Sequence, residues 1–365
     1  MKTSCIDRDT TAALKGLALI FMFAHHFFTF PDWYIDGIAY PAIFPYVRFL
    51  QGPLKMCVVV FAFLTGYFYH FSTRKNLNYS LRKITDVLLS YWIVFIPLMG
   101  LALVLGTWKF TPAAFLKELL ALERPIMLFC WYVYFYYVSM ILLPLLDKMG
   151  TKSPVADAAL MIAGPTMVFT ILLGILEYEF GITSHFLVEI CSNMREWFPC
   201  MAVGYLCSKY AFFENYLDPL TEKLFKGRGK YVLYLILCGV TFFSRLICPR
   251  FTLGAVIVAG NRMDLVFLMD VFYGPLFVYG AVNLLKAIPA AISRVLMALG
   301  KQSLLMWFLH CAFFGASKTF TQPILYFPKN PILVLIWGLS LCYGLAVLLD
   351  IPLKKLLKLK NTLFK

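Results

Sequence analysis

Ten stretches of roughly twenty predominantly apolar residues follow one another along this chain, and few folds accept that pattern. They lie near residues 11–30, 53–71, 85–106, 125–146, 158–176, 187–208, 231–249, 265–285, 296–317 and 331–350. A helix of that length rises ~30 Å, which matches the hydrocarbon core of a bilayer. Charged residues make up only 14% of the 365 positions, where a soluble domain carries about 25%. No polar stretch is long enough for a sizeable soluble domain. The expectation is an all-α integral membrane protein, a single domain over residues 1–365 built as a bundle of about ten transmembrane helices. Pro97, Gly164-Pro165, Pro199 and Gly274-Pro275 fall inside these stretches, where neighbouring helices can satisfy the backbone groups they free.

Ten crossings put both termini on one side, and the charges say which. Of the 33 lysines and arginines, 22 fall at the terminal side when each is assigned to its nearer helix end. They include Arg74, Lys75, Arg82 and Lys83, the group Lys223, Lys226, Arg228 and Lys230, and the tail from Lys354 to Lys365. The positive-inside rule therefore places both termini in the cytoplasm. It also accounts for the net charge of +14 without a nucleic-acid partner. The first apolar run is too long, and too rich in histidine, for a cleavable signal. Ten cysteines sit mostly within apolar stretches, without paired spacing, and read as small buried side chains.

Two ionisable residues within the first apolar stretch point to chemistry. Lys15 and His26 are eleven positions apart, three helical turns plus ~20°, so they share a face. The rise between them is ~16 Å, about half the hydrocarbon thickness. A cation thus lies near one boundary and an imidazole near the midplane, where such groups are costly unless they serve a function. His25 lies off that face. His310 sits at mid-depth of the ninth stretch, after Gly300 and Ser303. Arg245 and Asp270 are intramembrane or near-boundary ions expected to pair or to line a cavity. No P-loop, HExxH, GxSxG, dinucleotide fingerprint or metal-ligand spacing is present, and no metal is expected.

Four segments together resemble the acyltransferase-3 family of multi-spanning bacterial membrane acyltransferases. Lys15 and His26 match that family's basic residue, ten residues, then histidine. Phe61 to Tyr67 is similar to its second-helix pattern, with Thr65 in the serine place, and the basic run Arg74 to Lys83 follows as expected. Gly300, Ser303 and His310 resemble a later element, and the stretch from Trp131 resembles a tryptophan-bearing helix. In its better-known form the family carries arginine where this chain has Lys15; lysine keeps the charge and loses the planar fork.

The resemblance implies O-acetylation of a surface polysaccharide or lipid-linked sugar at the bacterial inner membrane, with acetyl-CoA or another acyl-CoA as donor substrate and no permanently bound cofactor. On that reading His26 is the general base, with Lys15 and His310 beside it in catalysis. Lys15, Arg74, Lys75, Arg82 and Lys83 would meet the donor's phosphates, the last four serving otherwise as a topology signal. Glu123, Arg124 and Trp131 are candidates for contact with the carbohydrate acceptor, Trp131 being otherwise a packing or interface residue. The competing expectation is a transporter or flippase for a lipid-linked glycan or small metabolite, which the missing internal repeat disfavours.

Overall fold

The apolar stretches fold as helices, in a computed structural model that describes residues 6–30, 33–35, 47–72, 74–182, 186–247, 255–258 and 261–363. In chain order they are α1 (Arg8–Phe28), α2 (Met56–His70), α3 (Leu77–Val104), α4 (Pro112–Leu119), α5 (Trp131–Met149), α6 (Gly164–Tyr178), α7 (Phe186–Lys209), α8 (Asp218–Leu224) and α9 (Gly229–Ile247). After these come α10 (Leu265–Leu285), α11 (Ala290–Lys301), α12 (Ser303–His310), α13 (Lys318–Tyr326) and α14 (Pro331–Leu363). Between α9 and α10, β1 (Ala255–Val258) pairs antiparallel with β2 (Asn261–Asp264), which the apolar pattern did not foretell.

Seven of the described segments are long and apolar enough to cross a membrane: Arg8–Phe28, Arg48–His70, Leu77–Val104, Pro154–Tyr178, Gly229–Ile247, Leu268–Leu285 and Pro331–Thr362. The pair Ala290–Lys301 and Ser303–Phe313 makes an eighth if taken as one broken span. The expected count of about ten differs because of α5 and α7. Glu189, Ser192, Asn193, Arg195 and Glu196 make the first half of α7 polar, and tyrosines with Asp147 and Lys148 do the same for α5. Two expected boundaries also shift. The fourth stretch becomes helical at Trp131, not near residue 125, and the ninth breaks at Gln302.

Contacts divide the chain into two compact units, one of Met1–Phe21, Gly52–Leu77 and Ile141–Gly300, the other of Met22–Gln51, Asn78–Met140 and Lys301–Lys365. In the first unit α7 packs on α2, α6 and α10, and α9 packs on α10. Reciprocal glycines bring α2 and α7 together. A Cβ on Gly66 would stand 1.8 Å from the Met201 carbonyl oxygen, and one on Gly204 2.1 Å from that of Phe63. Only hydrogen fits at either point, so backbones touch where lipid gives no hydrophobic drive to association. Arg245 and Asp270 are buried as an ion pair, with Arg245 Nε also donating to the Gly52 carbonyl at 2.9 Å. That agrees with the pairing expected of them.

In the second unit α12 and α13 pack on α14. Lys360 of α14 is ion-paired with Asp86 of α3. Tyr91 and Trp92 of α3 donate to the Glu118 and Leu119 carbonyls of α4 at 2.7 and 2.8 Å, tying the last turn of α4 to α3.

Candidate functional site

The last turn of α1 carries the site. Tyr34 and Tyr326 both donate to the Phe27 carbonyl, at 2.5 and 3.0 Å, and Thr29 Oγ1 donates to that of His25 at 2.6 Å. The two tyrosines cap a carbonyl that the helix end leaves over, and Thr29 adds its hydroxyl to the N–H it already gives His25, so the turn bearing His26 is held firmly. His26 is 9% exposed and His310, at the end of α12, is fully buried. Nδ1 of His26 lies 2.8 Å from Nε2 of His310. The Phe129 ring stacks on His26 at 3.9 Å between centroids and 4° between planes. Trp33 lies against Phe129 and Phe30, and Phe23 against His310.

This contact fixes the tautomers. Nδ1 of His310 is hydrogen-bonded to the Trp307 carbonyl, and a carbonyl can only accept, so that nitrogen carries hydrogen. In a neutral ring Nε2 of His310 is then the acceptor, and Nδ1 of His26 must be the donor. The lone pair of a neutral His26 is left on Nε2. The chain carbonyl–imidazole–imidazole therefore orients one ring as a base through the other, the role a carboxylate plays for histidine in a hydrolase triad.

The residues just before α5 place Phe129. Thr111 caps α4, its hydroxyl accepting from Ala114 N at 3.2 Å, and Pro112 follows at the first helical position. Two residues beyond the end of α4, Ala121 has a φ of 57°, in the left-handed region, and turns the chain. Glu118, buried on α4, accepts from Ile126 N through Oε1 at 3.2 Å, and Ala316 N donates to the Pro125 carbonyl at 2.8 Å. Clamped at both points, residues 125–130 stay out of the helix and turn Phe129 onto His26. Burial pushes the Glu118 carboxyl up to about 8, against the Ile126 hydrogen bond that favours its ionised form. Its Oε2 is buried without a partner among the described residues. Cys130 and Cys311, each next in sequence to a ring of this stack, approach to 3.7 Å between sulfurs and are free thiols.

His26 and His310, expected as candidates on separate grounds, are thus in direct contact. Lys15 is on α1, continuous helix from Arg8 to Phe28, so its face is shared with His26 as the spacing required. It is half-buried, and no hydrogen bond or ion pair to it is found among the described residues. Lys75 is engaged by His70 Nδ1 at 3.3 Å and Asp147 at 3.9 Å, and Lys83 by Asp86 at 3.5 Å. Arg74 and Arg82 are exposed. Glu123 pairs with Lys117 at 2.5 Å, and the Arg124 guanidinium lies 5.6 Å from the Tyr134 ring. Trp131 begins α5, its ring against Tyr132 and Phe135. Among the described residues no three His, Cys, Asp or Glu side chains gather as metal ligands would.

Sequence reasoning passed over Phe129, Glu118 and Trp307, and read Cys130 and Cys311 only as small buried side chains, which they are. Glu118 alone had a local signal, an acid inside the apolar run Phe115-Leu-Lys-Glu-Leu-Leu.

Compared with known proteins, residues 11–351 match the family described as an acyltransferase domain. No curated protein and no solved structure matches.

Proposed function

The chain belongs to the acyltransferase-3 family of membrane acyltransferases, and on that premise we propose that it moves an acyl group from acyl-CoA to a carbohydrate hydroxyl with His26 as general base. The observation that carries this reading is the chain of contacts from the Trp307 carbonyl through His310 to His26, which leaves a basic nitrogen on a buried ring. As the sugar hydroxyl attacks the thioester carbonyl, Nε2 of His26 takes its proton. The carbon–sulfur bond then breaks and the CoA thiolate takes that proton from the imidazolium. A neutral imidazole suits both transfers near pH 7.

The donor is acetyl-CoA in the simplest case, the acceptor a surface polysaccharide or lipid-linked sugar, and the setting the bacterial inner membrane. CoA phosphates cannot enter hydrocarbon, so they stay at a basic rim while the pantetheine arm reaches ~16 Å inward, the rise from Lys15 to His26. Lys15 supplies a positive charge that no described carboxylate neutralises. Arg74, Lys75, Arg82 and Lys83 serve as phosphate contacts at that rim, Lys75 and Lys83 exchanging their contacts with Asp147 and Asp86 for phosphate. Glu123, Arg124 and Trp131 are assigned to the acceptor.

The test is CoA release by the purified full chain from acetyl-CoA with candidate sugars. His26→Ala should lose at least ~100-fold in kcat while expressing normally, the usual contribution of a positioned base. Turnover retained in that variant would remove His26 from the chemistry. Flux of a sugar through proteoliposomes without CoA release would favour a transporter.

A further inference from the structure

The polar first half of α7 holds a charge for which the acyl-transfer reading has no use. Arg195 is 1% exposed, yet its Nε and Nη1 have no hydrogen-bond partner among the described residues. Its one polar contact among the described residues is long, Nη2 to Glu196 Oε1 at 3.4 Å. That same oxygen is shared with Ser192 Oγ at 3.3 Å. Four residues on, Pro199 has no N–H to give to the Arg195 carbonyl, so the helix also leaves an acceptor over at this residue. Arg245 and Asp270, buried in the same unit, are already paired with each other.

A buried guanidinium kept with donors unused is costly, and in a membrane helix such a residue marks a functional site more often than a structural one. Arginine is also the residue best shaped for planar oxyanions, with five donors in a fixed fork. Glu196 is its neighbour on the accessible side, its side chain 19% exposed. A ligand oxyanion that displaced Glu196 would reach Arg195 and accept from two of its nitrogens along one edge of the fork.

We propose that Arg195 is an oxyanion-binding residue in the first compact unit, taking a phosphate or carboxylate group of a ligand, with Glu196 as the internal competitor that such a group displaces. Phosphate of a lipid headgroup and an acid group on a soluble sugar share this chemistry. The proposal stands apart from acyl transfer, and its test uses no CoA.

The full chain in an uncharged maltoside detergent is followed by thermal unfolding at constant ionic strength. It is titrated separately with inorganic phosphate, glucuronate and short-chain phosphatidylglycerol, with short-chain diacylglycerol as the uncharged control. At least one anion should raise the melting temperature saturably in the low millimolar range or below. A response to phosphatidylglycerol alone identifies a lipid headgroup, and a response to a soluble anion identifies a free acid. Arg195→Gln should abolish the shift, and Glu196→Gln should bring saturation at a several-fold lower concentration. No shift with any of the three anions, or an equal shift in Arg195→Gln, overturns the proposal. Should Arg195→Gln not fold, the comparison of wild type with Glu196→Gln decides alone: unchanged or weaker binding in Glu196→Gln overturns it as well.

Discussion

Single atoms set the behaviour of the paired histidines. His310 fixes the tautomer of His26 by accepting from its Nδ1, and is itself fixed by the Trp307 carbonyl. His310→Ala should therefore leave His26 in place but free to turn over and to present the wrong nitrogen. The expected result is a ~100-fold loss of kcat with little change in KM for the donor. His310→Gln keeps an acceptor oxygen and should recover part of that loss. Equal rates in wild type and His310→Ala, measured as CoA release, would dissolve the relay. Glu118 makes a second prediction, about stability. Its carboxyl holds a proton up to about pH 8 in the folded chain, against an ordinary value of 4.5. Between those limits the folded state binds more protons than the unfolded one, so stability falls as pH rises through the window. The contribution is full below pH 4.5 and lost above about 8. Glu118→Gln keeps an acceptor for Ile126 N and cannot ionise. Its melting temperature should be flatter than wild type between pH 5 and 9, with the variant the more stable of the two at the alkaline end. Parallel curves in a thermal unfolding series would return Glu118 to an ordinary acid.

Helices in this protein meet through backbones where glycines allow it, and that defines the next prediction. A Cβ on Gly300 of α11 would stand 1.7 Å from the Ala12 carbonyl oxygen of α1, and one on Gly16 2.0 Å from that of Leu296. Neither neighbour is the end of a flexible side chain. Gly300→Ala should cost about 3 kcal/mol, the upper end of overpacking penalties, through separation of α1 from α11. Gly344→Ala is the control: nothing lies within 4 Å of the added methyl, and helix propensity gains ~1 kcal/mol. If both variants melt together, the close approach of α1 and α11 is not needed. These contacts also show what one chain discloses of its own fold. Apolar runs and prolines located most helices, because hydrophobic length is a local property. The Lys15–His26 interval was readable because both residues ride one helix. The His26–His310 contact was not, since 284 positions separate its partners and no local pattern encodes them. Phe129 was hidden for another reason. A straight helix from residue 125 would have turned it elsewhere, and the clamp that prevents this needs Ala316, about 190 positions away, as well as the nearer Glu118. Gly300 was legible as part of a motif, but its packing against Ala12 was not.

The number of crossings is a property of the whole molecule, and α5 and α7 decide it. They run 19 and 24 residues, ~28 and ~36 Å, so both are long enough to span a bilayer even though their polar residues keep them from reading as apolar helices. Counting both, together with the broken pair α11 and α12, gives ten spans; leaving both out gives eight. Either even number puts the termini on the same side, so terminal tags cannot tell the two apart. The turn at Gly181 can. With ten spans it follows a fifth crossing and lies opposite the turn at Gly227, whereas with eight it follows a fourth and lies on the same side. Charge favours the first arrangement. The stretch around Gly181 carries Glu177 and Glu179 without a lysine or arginine, while Lys223, Lys226, Arg228 and Lys230 surround Gly227. Basic residues concentrate in cytoplasmic loops. A paired reporter inserted at each turn, one half active only in the cytoplasm and the other only outside it, should therefore report Gly181 outside and Gly227 inside. Both positions reporting the cytoplasm would mean that α5 and α7 do not cross. The polar half of α7, Arg195 included, would then have to be accommodated at the membrane surface, where a buried guanidinium would meet water and the oxyanion site would lose its physical basis.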